Sequence, residues 1–156
     1  MARRRNYIPE EYQSITPQLT VDDAAGTIDW YKRALGAEEI GRFLDPRGKV
    51  MHADLKIGNS HILVNDVMDG SDHGNPRGSR AALWLYVENS DEVFDRAVRA
   101  GGTVQMPMAD QFWGDRAGAV VDPAGYTWWI ATHTEDLSRT EIEQRSADFF
   151  KQVTAR

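Results

Sequence analysis

The same half is written twice in this chain. Leu19, Val21, Asp29, Arg33, Ala34 and Gly36 recur as Leu85, Val87, Asp95, Arg99, Ala100 and Gly102, each sixty-six positions later. The Gly58 turn recurs as Gly125 after sixty-seven. In 156 residues, a repeat of this length describes one supersecondary unit used as a pair, since neither copy alone can bury its apolar face. A cleft between two such copies can be read position by position, including the positions that are chemically empty.

Residues 14–21 alternate, with Ile15, Leu19 and Val21 apolar, and predict a strand. Asp22 and Asp23 offer an N-cap. Ala24 to Leu35 then carries Ile28, Tyr31 and Leu35 at helical spacing and stops at Gly36. Strands are expected over 38–44, 50–57 and 60–64, joined by the turns Asp45-Pro46-Arg47-Gly48 and Gly58-Asn59. Residues 69–80, rich in Gly and with Pro76, read as a linker. The order restarts with a strand over 82–87, a helix over 90–100 capped by Asn89 or Ser90, a short strand at Val104-Gln105, and strands over 116–121 and 126–132. Ser138-Arg139-Thr140-Glu141 fits a capping box opening a last helix to about Val153, with Ile142, Phe149 and Phe150 available to dock. The expected fold is α+β: a βαβββ module over 14–68, the linker 69–80, a second βαβββ module over 81–134 and a C-terminal helix over 138–153.

Composition excludes several function classes. A net charge of −6 argues against nucleic acid as the main partner. The local run Arg3-Arg4-Arg5 sits at a terminus and reads as a solvated tail. With no cysteine, disulfides, thiolate chemistry and Cys-based zinc sites are out. Residues 1–12 lack the apolar core of a signal peptide, and no apolar run approaches ~18 residues, the length of a membrane span. The expectation is a soluble, cytoplasmic protein without a membrane partner.

Ile28-Asp29-Trp30-Tyr31-Lys32-Arg33-Ala34-Leu35-Gly36-Ala37 is similar to the helix 1 signature of the vicinal oxygen chelate superfamily, which includes glyoxalase I, the bleomycin-resistance proteins and ring-cleaving dioxygenases. Asp122-Pro123-Ala124-Gly125-Tyr126 is similar to its turn before the last strand. Ile8-Pro9-Glu10 with Thr16-Pro17-Gln18-Leu19, and Phe112-Trp113-Gly114-Asp115-Arg116 with Ile130-Ala131-Thr132-His133, resemble its PhnB-like subgroup. The resemblance implies paired modules forming an open, cupped sheet, a homodimer, and a ligand cleft in each cup.

The resemblance also implies four metal-ligand positions, which fall on Thr16, Ile62 (or Leu63 if the register slips by one), Ala82 and Trp129. None is His, Asp or Glu, the residues whose lone pairs divalent metals need in a chain without cysteine. His61 is the one ligand-type residue nearby in those strands, and one His does not make a site. No metal and no cofactor is therefore expected. Strand alternation puts Thr16, Gln18, Thr20, Trp84, Tyr86 and Trp129 on the cleft face, and Leu19, Val21, Leu83, Leu85, Trp128 and Ile130 under the helices. Broad rings with a few hydrogen-bonding groups suit a flat or apolar organic ligand; alternatively the rings fill the cup as core. In the loop after Pro107 and ahead of the strand over 116–121, Trp113 is a candidate lid and Arg116 a candidate anion contact, the alternative being an Asp115–Arg116 structural pair. His52 and Asp54 share a strand face and are either a base with its orienting carboxylate or a structural pair. His133 reads as a terminal hydrogen-bonding group after the last strand.

The expected function is metal-independent binding of a small aromatic or apolar compound, in the manner of a sequestering or resistance protein, with ligand contacts at Thr16, Gln18, Thr20, Trp84, Tyr86, Trp113, Arg116 and Trp129. The alternatives are a superfamily lyase, isomerase or dioxygenase with a displaced metal site using His52, Asp54, His61 or His133, and a structural protein whose cup is filled.

Overall fold

A computed structural model describes residues 8–67 and 81–154. The linker expected over 69–80 and the arginine run at 3–5 lie outside the described residues. The chain divides into two compact units. Unit 1 comprises the described residues up to 67 with 123–125, and unit 2 comprises 81–122 with 126–154.

Unit 1 runs β1 (Gln18–Val21), α1 (Ala24–Leu35), β2 (Glu38–Leu44), β3 (Val50–Ile57) and β4 (Ser60–Asp66). Its sheet has the order β1-β4-β3-β2, with β1 parallel to β4 and the other pairs antiparallel. Asp23 caps α1 by accepting from the Gly26 amide at 3.0 Å. Gly36 ends it at φ 69°, in the left-handed conformation that glycine takes without penalty. Ile28, Tyr31 and Leu35 on α1 are buried with Val21, Leu55 and Val64 of the sheet, each such side chain contributing about 1.5–3 kcal/mol. Asp66 ties helix to sheet: its two carboxylate oxygens accept from the amides of Ala24 and Val50, both at 2.7 Å.

Unit 2 repeats the order as β5 (Ala82–Tyr86), α2 (Ser90–Arg99), β6 (Thr103–Asp110), β7 (Asp115–Val121) and β8 (Thr127–His133), and adds α3 (Arg139–Thr154). Its sheet order, β5-β8-β7-β6, is that of unit 1. Asn89 caps α2. The capping box of α3 forms: Ser138 Oγ donates to Glu141 at 2.7 Å and accepts from the Glu141 amide at 3.3 Å. The chain is thus an α+β protein, with two four-stranded mixed sheets and three helices among the described residues.

Three expectations need correction. The first strand starts at Gln18 rather than at 14, so Thr16 precedes it. The strand expected at Val104-Gln105 extends to Asp110 through Pro107, because β6 is an edge strand, where a missing amide costs no ladder bond. His133 is the last residue of β8 rather than beyond it.

Candidate functional site

The open face of the unit 2 sheet is aromatic. Leu85 and Trp84 alternate along β5, so one row lies toward α2 and the other away from it. Trp84 and Trp129 are register partners on the parallel strands β5 and β8. Their rings stack with centroids 4.8 Å apart and planes 3° from parallel. Tyr86 continues the row at 6.3 Å from Trp84, and Trp113 meets Trp84 edge-on at 6.3 Å. Trp84 is 45% and Tyr86 59% exposed. Trp128 and Ile130 of the opposite face are buried.

One buried carboxylate organises the polar edge of this face. Asp115, 3% exposed, accepts from Tyr86 Oη and from Trp113 Nε1, both at 3.0 Å. It also lies 2.8 Å from Nδ1 of His133, its direct partner across β7 and β8. His133 Nε2 reaches Asp136 at 3.0 Å. Hydrogen bonding to Asp115, and then to Asp136, raises the His133 pKa above its ordinary 6.5. Burial, and then the Asp115 hydrogen bond, raises that of Tyr86, so its phenol stays a neutral donor. Gly114 sets the turn between Trp113 and Asp115 at φ 97°. Its carbonyl accepts from the amides of Thr134 and Glu135 and from Thr134 Oγ1.

A cleft of about 560 Å³ opens beside Asp115, lined by Gln111, Phe112, Thr134, Glu135, Arg145 and Phe149 among others. Phe112 packs against Phe149 and Phe150 of α3, at 5.5 and 6.5 Å. Trp84 and Trp129 do not line this cleft; they lean on each other and offer ring faces instead.

Arg116 does not join the aromatic set. It follows Asp115 on β7 and so takes the other face, where it makes a two-pronged ion pair with Asp91 of α2 at 2.7 and 2.8 Å and reaches Asp110 at 3.3 Å. In place of the alternative Asp115–Arg116 pair, Arg116 joins Asp91 and Asp115 joins His133.

In unit 1 the corresponding face is polar. Gln18 Nε2 and Thr20 Oγ1 donate to Asn65 Oδ1 at 2.9 and 3.3 Å, and Thr16 is half-buried ahead of β1. Asp54 pairs with His61 rather than His52: the carboxylate lies 2.7 Å from His61 Nδ1. Asp54 sits opposite Leu63 and hence diagonal to His61 on the neighbouring strand. His52 neighbours Phe43 instead, at 6.3 Å. Tyr12, which sequence reasoning passed over, stacks on His61 at 4.1 Å and donates its hydroxyl to Asp54. Only its place on a short segment between Ile8-Pro9 and the first strand could have drawn attention to it.

Strand register also corrects one metal position. Gln18 pairs with Leu63 as Trp84 pairs with Trp129, so Leu63, not the 5% exposed Ile62, is the equivalent of Trp129. Thr16, Leu63, Ala82 and Trp129 offer no imidazole or carboxylate, and this donor set does not fit a divalent metal. Among the described residues, no three His, Asp or Glu side chains are grouped to hold a metal ion.

Comparison with known proteins agrees with this architecture. Residues 13–130 match the model of the Glyoxalase/Bleomycin resistance protein/Dioxygenase superfamily. An uncharacterized protein of Mycobacterium tuberculosis, Rv0887c, is 38% identical over 136 residues, 83% of this chain and 80% of its own. The crystal structure of TioX from Micromonospora sp. ML1 superposes with a TM-score of 0.62 at 27% identity, covering 78% of this chain and 98% of TioX. A PhnB protein from Bacillus cereus shares the fold, with a TM-score of 0.60 at 18% identity over 77% of this chain and 99% of its own. With paired βαβββ units, the helix 1 signature and the Asp122–Tyr126 turn all in place, the chain belongs to the glyoxalase/bleomycin resistance/dioxygenase superfamily.

Proposed function

We propose that this protein binds a small aromatic or apolar compound without a metal ion and sequesters it rather than converting it. The observation that carries the reading is the Trp84–Trp129 stack with Trp84 45% exposed. An outward ring face of this size is a platform for a flat ligand, worth about 0.5–1.5 kcal/mol beyond the area it covers. Trp113 supplies an edge, and Tyr86 supplies a phenol fixed by Asp115. Arg116, paired with Asp91 on the other face of β7, is left out of this site. The reading takes the protein to be a cytoplasmic homodimer with no nucleic-acid or membrane partner.

The test is a tryptophan-fluorescence screen against a panel of aromatic compounds, repeated with Trp84→Ala. Saturable quenching that weakens about tenfold in the variant is expected, from loss of about 1.4 kcal/mol of stacking. Saturable binding that the variant leaves unchanged overturns it, as does a panel without any binder.

A second reading, a lyase, isomerase or dioxygenase with a displaced metal site, is favoured by one observation, the Asp54–His61 pair, which orients an imidazole as a base requires. Near one equivalent of transition metal in purified protein, with turnover lost on chelation, would establish it. Metal-free protein that binds the same ligands would exclude it.

A further inference from the structure

We propose that the Asp54–His61 face of β3 and β4 is a binding site for a small phenol, and that Tyr12 occupies that site from within the chain. The proposal rests on the reading of the protein as a binder of aromatic compounds, but on different residues in the other unit.

Three observations carry it. First, the His61 side chain is 4% exposed, and among the described residues its Nε2 has no hydrogen-bond partner. With Nδ1 facing the Asp54 carboxylate, the neutral ring carries its proton on Nδ1 and keeps a lone pair at Nε2. Buried polar atoms are nearly always paired, so this nitrogen is an acceptor waiting for a donor. Second, Tyr12 already makes the contacts a phenol would make. Its ring lies on the imidazole at 4.1 Å with planes 22° apart, and its hydroxyl donates to the second Asp54 oxygen. That hydrogen bond, helped by burial, pushes the Tyr12 pKa up to about 12, so the group presented to Asp54 is a neutral phenol.

Third, the segment that brings Tyr12 there carries a strained residue. The Tyr12 amide closes a turn onto the Pro9 carbonyl at 3.1 Å. Glu11 within it takes φ 67°, a conformation that costs a side-chain-bearing residue about 1–3 kcal/mol in ordinary loops. One ion pair, Glu11 to Lys56 at 3.0 Å, fastens it to β3. A strained turn delivering a ring onto a buried dyad is a placeholder that a ligand of the same chemistry can displace. Bound ligand would stack on His61 and donate its hydroxyl to Asp54, and a second donor on the ligand could reach Nε2.

The probe is resorcinol, a phenol that stays neutral near pH 7 and carries a second hydroxyl donor, measured by equilibrium dialysis with the full chain. Because Tyr12 competes within the molecule, wild-type affinity is reduced by the fraction of time the site is open. Tyr12→Ala should therefore bind the probe on the order of tenfold more tightly than wild type. Adding His61→Ala or Asp54→Asn should abolish that gain. Tyr12→Phe keeps the ring and loses only the hydroxyl bond. It should show a gain of about two- to fivefold, and it decides the matter if Tyr12→Ala does not fold. A Tyr12 variant within twofold of wild type overturns the proposal, and so does a gain that survives His61→Ala. If Trp84→Ala abolishes binding of the fluorescence panel while Tyr12 variants change nothing, this site fails and the aromatic-binder reading stands. The reverse pattern removes the Trp84 platform and keeps this site.

Discussion

Replacing Gly114 with alanine should damage the aromatic face from a position that never touches it. Gly114 sits at φ 97°, where an L side chain is strained by about 1–2 kcal/mol. A Cβ added there would lie 2.6 Å from the Glu135 carbonyl oxygen and 3.3 Å from Leu137 Cδ1. The backbone oxygen cannot drift away, because the Glu135 and Thr134 amides are both bonded to the Gly114 carbonyl. Forcing room costs about 1–3 kcal/mol more, for a total near 3 kcal/mol. In a chain of this size that lowers Tm by roughly 6–12 °C. Gly48→Ala is the control: its φ is 83° but its Cβ would meet nothing within 4 Å, so strain alone, about 1 kcal/mol, is expected. Urea denaturation of both variants measures the difference. Near-UV circular dichroism should show disturbed Trp113 in the Gly114 variant only. Equal losses in the two variants, or a Gly114→Ala loss below about 1 kcal/mol, would refute the reasoning about the Trp113–Asp115 turn.

Other outcomes follow from individual groups. His133 is raised above 6.5 by Asp115 and Asp136, so its contribution to stability is full below about 6.5 and is lost as pH rises through the folded value. Asp115→Asn should bring the His133 titration back toward 6.5, followed by NMR, and should flatten that pH dependence. Glu39 is lowered from 4.5 to about 2 by hydrogen bonds to Arg42 and then Lys32, so its contribution is present above 4.5 and lost as pH falls toward 2. Glu39→Gln should cost about 1 kcal/mol near neutrality, after discounting for solvent screening, and nothing near pH 2, as read by denaturation at the two pH values. Ser138→Ala removes the cap of α3 and should speed amide exchange in its first turn about fivefold.

Local patterns were legible in the sequence; register was not. The helix at Ala24–Leu35 and the strands at Glu38–Leu44 and Val50–Ile57 lie where periodicity and turn chemistry put them. Alternation also placed Trp84 and Trp129 on one face and Trp128 and Ile130 on the other. Which residues meet across strands depends on turn length, and the two equivalent turns differ. Residues 58–59 join β3 to β4, whereas residues 122–126 join β7 to β8. Counting from the repeated glycine therefore landed one residue off, on Ile62 instead of Leu63. The same cross-strand geometry hid Asp54–His61 and Asp115–His133, pairs seven and eighteen residues apart. Arg116 was misplaced for a different reason: its partners, Asp91 and Asp110, come from α2 and β6, and no local pattern joins those elements.

On the proposed function, exposed stacked indoles hold an aromatic ligand without a metal. The most direct measurement is calorimetric titration of the tightest compound from the fluorescence panel into exhaustively chelated protein, for wild type, Trp84→Ala and Trp129→Ala. Chelated wild type should keep its full affinity and each variant should lose about tenfold, consistent with about 1.4 kcal/mol of lost stacking. Affinity that vanishes with chelation, or that survives both substitutions, would contradict it.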